Sequence, residues 1–253
     1  MNRLPALFLA LALPLGAKAA EPATTPAEHF QRAAQAYDAG DFVAAGRTYD
    51  ELIGAGWVSA PLFFNAGNAA FRRSDLGAAV LHYRRAWSLA PRDAEITANL
   101  RFALQRAGAP EQLLKPWESL FSRLTLGEWS AVAVTAYWLA AAAWAWWFLR
   151  GRPPTMRRLA GGLVTVALLG TAGIGFWLDW RARPEWVVTQ PGQQALFAPL
   201  DSATPHFALP PGSVVRLRES AGDWLRIRAG RDEGWVRRSA AQAVLPWQDP
   251  GLR

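Results

Sequence analysis

The chain of 253 residues contains no cysteine and only three histidines. Without cysteine there is no disulfide framework, no thiolate metal site and no cysteine nucleophile. His29, His82 and His206 fall in no HExxH or other metal-ligand pattern. A phosphate-binding glycine loop is missing too: Gly161-Gly162 opens an apolar run and has no lysine after it. There is no GxSxG elbow. Nothing marks a catalytic centre, a cofactor site or a metal site, so the expectation is a non-enzymatic protein without cofactors. A basic stripe on a soluble face, which nucleic acid would require, is also lacking. The net charge is +7, yet residues 21–110 carry nine basic and nine acidic side chains. Four arginines and no acid lie in residues 150–158, and the part from Asp179 onward has ten basic against eight acidic residues. The surplus is therefore concentrated in one short loop, and no nucleic-acid partner is expected.

What the sequence does have is two long apolar runs, Trp129–Leu149 and Leu159–Leu178. Each is about 20 residues long, enough to cross a hydrocarbon core as a helix. The runs predict transmembrane helices over 128–149 and 159–178. The loop 150–158 between them, with its four arginines, is expected on the cytoplasmic side, and both flanks on the opposite side. Trp129, Trp144, Trp146, Trp147, Trp177 and Trp180 crowd the ends of the runs, as an interfacial aromatic belt does. The alternative is a helical hairpin buried in a soluble core. The first run offers no polar face for that role. Residues 1–19 read as a secretory signal: Arg3, the apolar stretch Leu4–Leu15, then Ala17-Lys18-Ala19 as a small-x-small cleavage pattern. An uncleaved anchor is the alternative. Either way residues 27–108 are expected outside the cytoplasm, anchored to an inner membrane, with the C-terminal part on the same side.

Between residues 27 and 108 the sequence repeats itself. Ala45 and Ala79 are 34 apart, as are Tyr49 and Tyr83, Tyr37 and Phe71, Phe42 and Leu76, and Asn65 and Asn99. Gly67, Ala79, Tyr83, Ala86 and Pro91 stand where a tetratricopeptide (TPR) repeat carries Gly, Ala, an aromatic, Ala and Pro. This part resembles a TPR array, with a third helix at Ala94–Ala107 as its cap. The resemblance implies helix pairs and a groove that binds a protein or peptide, with Phe30, Tyr37, Phe64, Asn68, Phe71 and Arg72 as groove positions. For Tyr37 and Phe71, packing inside the array is the competing role. The pairs Arg72-Arg73 and Arg84-Arg85 read as exposed helix charges. Residues 109–127 place Leu113, Trp117, Leu120, Phe121 and Leu124 at three- and four-residue spacing. They are expected as an amphipathic segment in the membrane interface, or else packed on the repeats.

After the second run the pattern changes to period two. Trp186–Thr189, Ala195–Pro199, Val214–Arg218, Trp224–Arg228 and Trp235–Arg237 read as short strands separated by turn residues. Along Trp224–Arg228, residues Trp224, Arg226 and Arg228 share one face, and Leu225 and Ile227 the other. A small barrel over 184–248 is expected. Gly222-Asp223-Trp224 and Gly234-Trp235-Val236 resemble pieces of a bacterial SH3-like (SH3b) domain. That resemblance implies binding of peptides or cell-wall peptidoglycan, with Trp224, Arg226, Arg228 and Trp235 on the binding surface, although Trp235 also suits the barrel core.

The expected fold is thus multidomain: all-α TPR helical repeats, a two-helix transmembrane hairpin and a small all-β SH3-like barrel. This order resembles the BatE-like proteins of bacterial aerotolerance operons. It implies a membrane-anchored interaction scaffold on the periplasmic side, with partners among von Willebrand A-domain membrane proteins and, indirectly, MoxR-type ATPases. The alternative is a cell-wall anchor or sensor acting through the SH3b module. In a third reading the spans themselves carry the contact, through Gly161, Gly162, Gly170, Gly173 and Gly175.

Overall fold

The computed structural model describes residues 25–110, 120–150, 153–182 and 184–245. The expected signal at 1–19, residues 111–119 of the expected amphipathic segment and the last residues of the expected β module lie outside that set. Among the described residues there are seven helices and one seven-stranded antiparallel sheet.

Five helices come first: α1 (Pro26–Asp38), α2 (Phe42–Gly54), α3 (Ala60–Arg72), α4 (Leu76–Leu89) and α5 (Ala94–Ala107). Each starts at a side-chain cap. Thr25, Asp41, Ser59, Asp75 and Asp93 accept from a backbone N–H in the first turn, which satisfies a donor the helix cannot. The connections are short, so each helix folds back on the one before it, and α1 also touches α3. Residues 34 apart occupy like environments: Ala45 and Ala79 are fully buried, and so, nearly, are Tyr49 and Tyr83. A Cβ on Gly67 would lie 2.7 Å from the Tyr83 ring. Glycine there sets how closely α3 approaches α4. In α5, Ile96, Leu100, Ala103 and Leu104 form the buried face, as the spacing predicts. Arg92, in the turn before α5, pairs at 2.8 Å with Glu128 of the sixth helix.

Helices α6 (Leu126–Leu149) and α7 (Pro154–Ala182) are both long and apolar enough to cross a membrane, and most of each is unburied. Helix α7 begins at Pro154, so the arginine loop is shorter than 150–158 and Arg157 and Arg158 are helical. Ala133, Ala136, Ala140 and Ala143 form the buried seam of α6. Gly170 meets this seam. A Cβ there would lie 2.9 Å from the Ala133 backbone, and Gly173 lies as tightly against the Trp129 ring. Small residues let two apolar helices pack where hydrophobicity supplies no drive. Gly161, Gly162 and Gly175 have nothing within 4 Å and face away from α6. Gly170→Val should therefore lower the stability of the solubilised protein by about 1–3 kcal/mol, the usual cost of overpacking, while Gly175→Val leaves it within about 0.5 kcal/mol. Thermal unfolding in detergent reads the difference. Equal melting temperatures for the two variants would contradict this packing.

At the Asp179 end of the hairpin the chain is tied down. Trp129 Nε1 donates to the Phe121 carbonyl at 2.9 Å and Trp177 Nε1 to the Leu124 carbonyl at 2.8 Å. Phe121 stacks on Phe176. The described end of the 109–127 segment thus packs on the hairpin itself.

The strands are β1 (Glu185–Val188), β2 (Gln193–Leu196), β3 (Pro205–Leu209), β4 (Val214–Ala221), β5 (Trp224–Ala229), β6 (Asp232–Arg237) and β7 (Ala241–Ala243). Their order is β3-β2-β6-β5-β4-β1-β7. The expected barrel is not closed: β3 and β7 are edges and do not pair with each other. Register shifts at Ala195/Leu196 and Leu217/Glu219 bend the sheet. It wraps one core that includes Trp186, Val188, Val215, Leu225, Ile227 and Val236.

The helical part and the sheet are not separate bodies. One apolar cluster runs through Val80, Trp87, Leu100 and Leu104 of the helices into Val187, Val214 and Val244 of the sheet. Here the reading of Arg84 and Arg85 as exposed charges is corrected. They are 9% and 7% exposed. Arg84 donates from Nε and Nη2 to the two carboxylate oxygens of Glu185, at 3.1 and 3.2 Å. Its guanidinium also lies over the rings of Trp87 and Trp180. Arg85 donates to the carbonyls of Val244 and Ala243, both at 2.9 Å. Gly77, at the start of α4, lies against the Thr189 backbone with no room for a Cβ. The arginines are buried because β1 and β7 bring them an acid and two carbonyls, and a buried charge needs such partners.

Candidate functional site

Two surfaces carry the residues singled out from the sequence. The first is a pocket of about 200 Å³ among the first three helices, lined by Ala34, Tyr37, Asp38, Tyr49, Asn65 and Asn68. Helix α1 supplies Tyr37 and Asp38 from its last turn, α2 supplies Tyr49, and α3 supplies Asn65 and Asn68 one turn apart. Asn68 Oδ1 accepts the Tyr83 hydroxyl at 2.7 Å, which leaves the Asn68 amide N–H groups for other partners. Burial pushes the Tyr49 phenol up, against a side-chain hydrogen bond with Asn65 that lowers it. Burial raises Tyr83 strongly as well. Both phenols are thus neutral hydrogen-bonding groups at any physiological pH.

Of the expected groove positions, the pocket brings Tyr37 and Asn68 together. The others are placed around it. Phe30 packs edge-on against Tyr49, while Phe64 lies tilted on Tyr83 and Phe71 tilted on Phe102 of α5. Tyr37 also meets the Phe42 ring edge-on. The Arg72 guanidinium lies 4.2 Å from the centroid of that same Phe42 ring and does not line the pocket. Sequence reasoning missed Asp38, Tyr49 and Asn65 as lining residues. The signal was present for two of them, since Tyr49 and Asn65 are members of the 34-residue pairs.

The second surface is the outer face of β5 and β6. Leu225 and Ile227 point into the core, while Arg226 and Arg228 are exposed and Trp224 is half-buried. Trp235 is half-buried on the same outer side, opposite Arg226 in the register. Three arginines converge on one acid: Glu233 pairs with Arg228 at 2.6 Å, Arg226 at 3.2 Å and Arg218 at 3.7 Å. The Arg228 hydrogen bond holds the Glu233 carboxyl below its ordinary value, with the Arg226 and Arg218 cations adding to it. Arg237 grips Asp201 and lies over the Trp224 ring. The arginines of this face are thus engaged with neighbouring carboxylates.

Among the described residues no group of three or more His, Asp or Glu is placed to hold a metal ion. No protein-family model matches the chain, and no curated protein matches it.

Proposed function

We propose that this protein is a non-enzymatic, membrane-anchored interaction scaffold of the bacterial envelope. In this reading the five N-terminal helices are TPR repeats with a cap, the sheet is an open SH3b-like module, and both lie on the periplasmic side of an inner membrane. The carrying observation is the pocket among α1, α2 and α3. It is open, polar and built from the same helices that carry the repeat, and it lies on a body fixed to two membrane-length helices. The arginine loop supports the orientation through the bias of cytoplasmic loops toward positive charge. The architecture supports a Bat-type complex, with von Willebrand A-domain membrane proteins as direct partners and a MoxR ATPase reached through them. The engagement of Arg226 and Arg228 with Glu233 favours partner binding by the helices over wall binding by the sheet.

Cross-linking in intact cells, followed by affinity recovery from solubilised membranes with and without muramidase digestion, tests this. One or a few membrane proteins should be recovered in equal amounts with and without digestion. Recovery of peptidoglycan fragments or wall enzymes, lost on digestion, would replace the scaffold with the wall-anchor reading and move the functional centre to Trp224 and Trp235.

A further inference from the structure

The pocket has a sign. Among the described residues, Asp38 is the only charged side chain that lines it. It is exposed and has no ion pair among the described residues. It is also the last residue of α1, a helix with no basic residue in its last turn. The carbonyls that end a helix concentrate negative partial charge there, so the carboxylate adds to a field that no cation in the last turn of α1 offsets. Arg72 does not offset it by pairing, since its guanidinium is held on the Phe42 ring and makes no ion pair with Asp38. The half-buried Tyr37 ring supplies an aromatic wall, which attracts cations, while the buried Tyr49 closes the floor. The Asn65 and Asn68 amides are neutral and suit the carbonyls and N–H groups of an extended chain.

We propose that this pocket receives the guanidinium or ammonium group of an exposed basic residue on the partner, with Asp38 as its counter-ion, Tyr37 as its aromatic wall, and the Asn68 amide on the adjoining peptide backbone. This rests on the scaffold reading and sharpens it: the partner segment is basic, not acidic. A guanidinium fits the arrangement well, because it pairs with a carboxylate and stacks on an aromatic ring at once. The carboxylate contact carries the discrimination, since charge-assisted hydrogen bonds are the stronger ones.

The test uses the full-length protein in nanodiscs and small probes at millimolar concentration. These are Nα-acetyl-arginine methylamide, its uncharged citrulline isostere and Nα-acetyl-glutamate methylamide, followed by saturation-transfer NMR. The arginine probe should bind about threefold to fivefold better than citrulline, the scale of an exposed ion pair, and the glutamate probe should give no saturation. Asp38→Asn should weaken the arginine probe about threefold to fivefold without moving the melting temperature, because Asp38 is exposed and unpaired. Equal binding of arginine and citrulline, preference for glutamate, or an Asp38→Asn variant that binds arginine as wild type does, would each overturn the proposal. Failure here is distinct from failure of the scaffold reading. Membrane partners recovered by a pocket with no cation preference would leave the scaffold standing. A cation-selective pocket with only wall fragments recovered would do the reverse.

Discussion

Arg84→Ala should cost about 3–5 kcal/mol of stability, the largest loss expected from any single truncation at the junction of helices and sheet, because it leaves the Glu185 carboxylate buried without a counter-ion. Glu185 is 7% exposed, and Arg84 reaches both its oxygens. Removing the guanidinium also removes the cation from over the Trp87 and Trp180 rings. Arg84→Lys should recover only part of the loss, since an ammonium cannot make the two parallel bonds. Urea unfolding of the detergent-solubilised protein, followed by tryptophan fluorescence, measures the difference. A double change, Arg84→Met with Glu185→Leu, is the informative control. Replacing a buried pair by apolar groups of similar size is often neutral or better, so the double variant should stand close to wild type. An Arg84→Ala variant within about 1 kcal/mol of wild type would mean that water reaches this junction and the pair is not truly buried.

The second large effect is in acid. His82 is 7% exposed on α4 and its ring is held neutral, with its pKa pushed down to about 3. Burial is the main cause, and the Arg85 and Arg73 cations add to it. Together they outweigh the Asp50 carboxylate, whose Oδ1 is 3.5 Å from Nε2. A histidine with a depressed folded value takes up its proton in the unfolded chain first. The unfolded state therefore gains protons, and the fold loses stability, as pH falls from the ordinary 6.5 toward 3. Across that window His82 alone amounts to about 5 kcal/mol. Asp50 works the other way. Its carboxyl is raised by burial, so its protonation in the folded state offsets part of the loss. His82→Gln should flatten the dependence of unfolding free energy on pH between about 6.5 and 4. Denaturant titrations at several pH values give the slope. A slope unchanged by His82→Gln would place the acid sensitivity elsewhere.

The helices were legible because their information is local. A 34-residue offset, short polar connections and a proline after α4 are all within reach of a single window of sequence. The apolar hairpin was legible by length alone. The two strands that sequence reasoning missed, β3 and β7, have weak signals for identifiable reasons. Strand β3 starts at a proline and is mostly exposed, as suits an edge. Strand β7 is three residues of alanine and glutamine, too short and too poor in branched side chains to be read as a strand. The failure to close the sheet follows from the same two elements, since they are its edges. Arg84 and Arg85 were misread because a charge on a helix is normally solvated. Their partners lie 101 and 158–159 residues away, beyond any periodic pattern. In the pocket, Asp38 had no repeat-mate to draw attention to it.

The grip of Arg85 on the carbonyls of Ala243 and Val244 has a consequence for how the chain is made. Helix α4 is made well before either apolar helix, and residues 243 and 244 leave the ribosome only after both. Until then Arg85 is a cation on an apolar helix face with neither carbonyl to bind, and Arg84 waits likewise for Glu185. A product cut short before residue 243 would contain α1 to α7 and most of the sheet, yet would still show the unfinished face of Arg85 to proteases. Synthesis past β7 hides it, so that strand acts as a check that translation has passed this point.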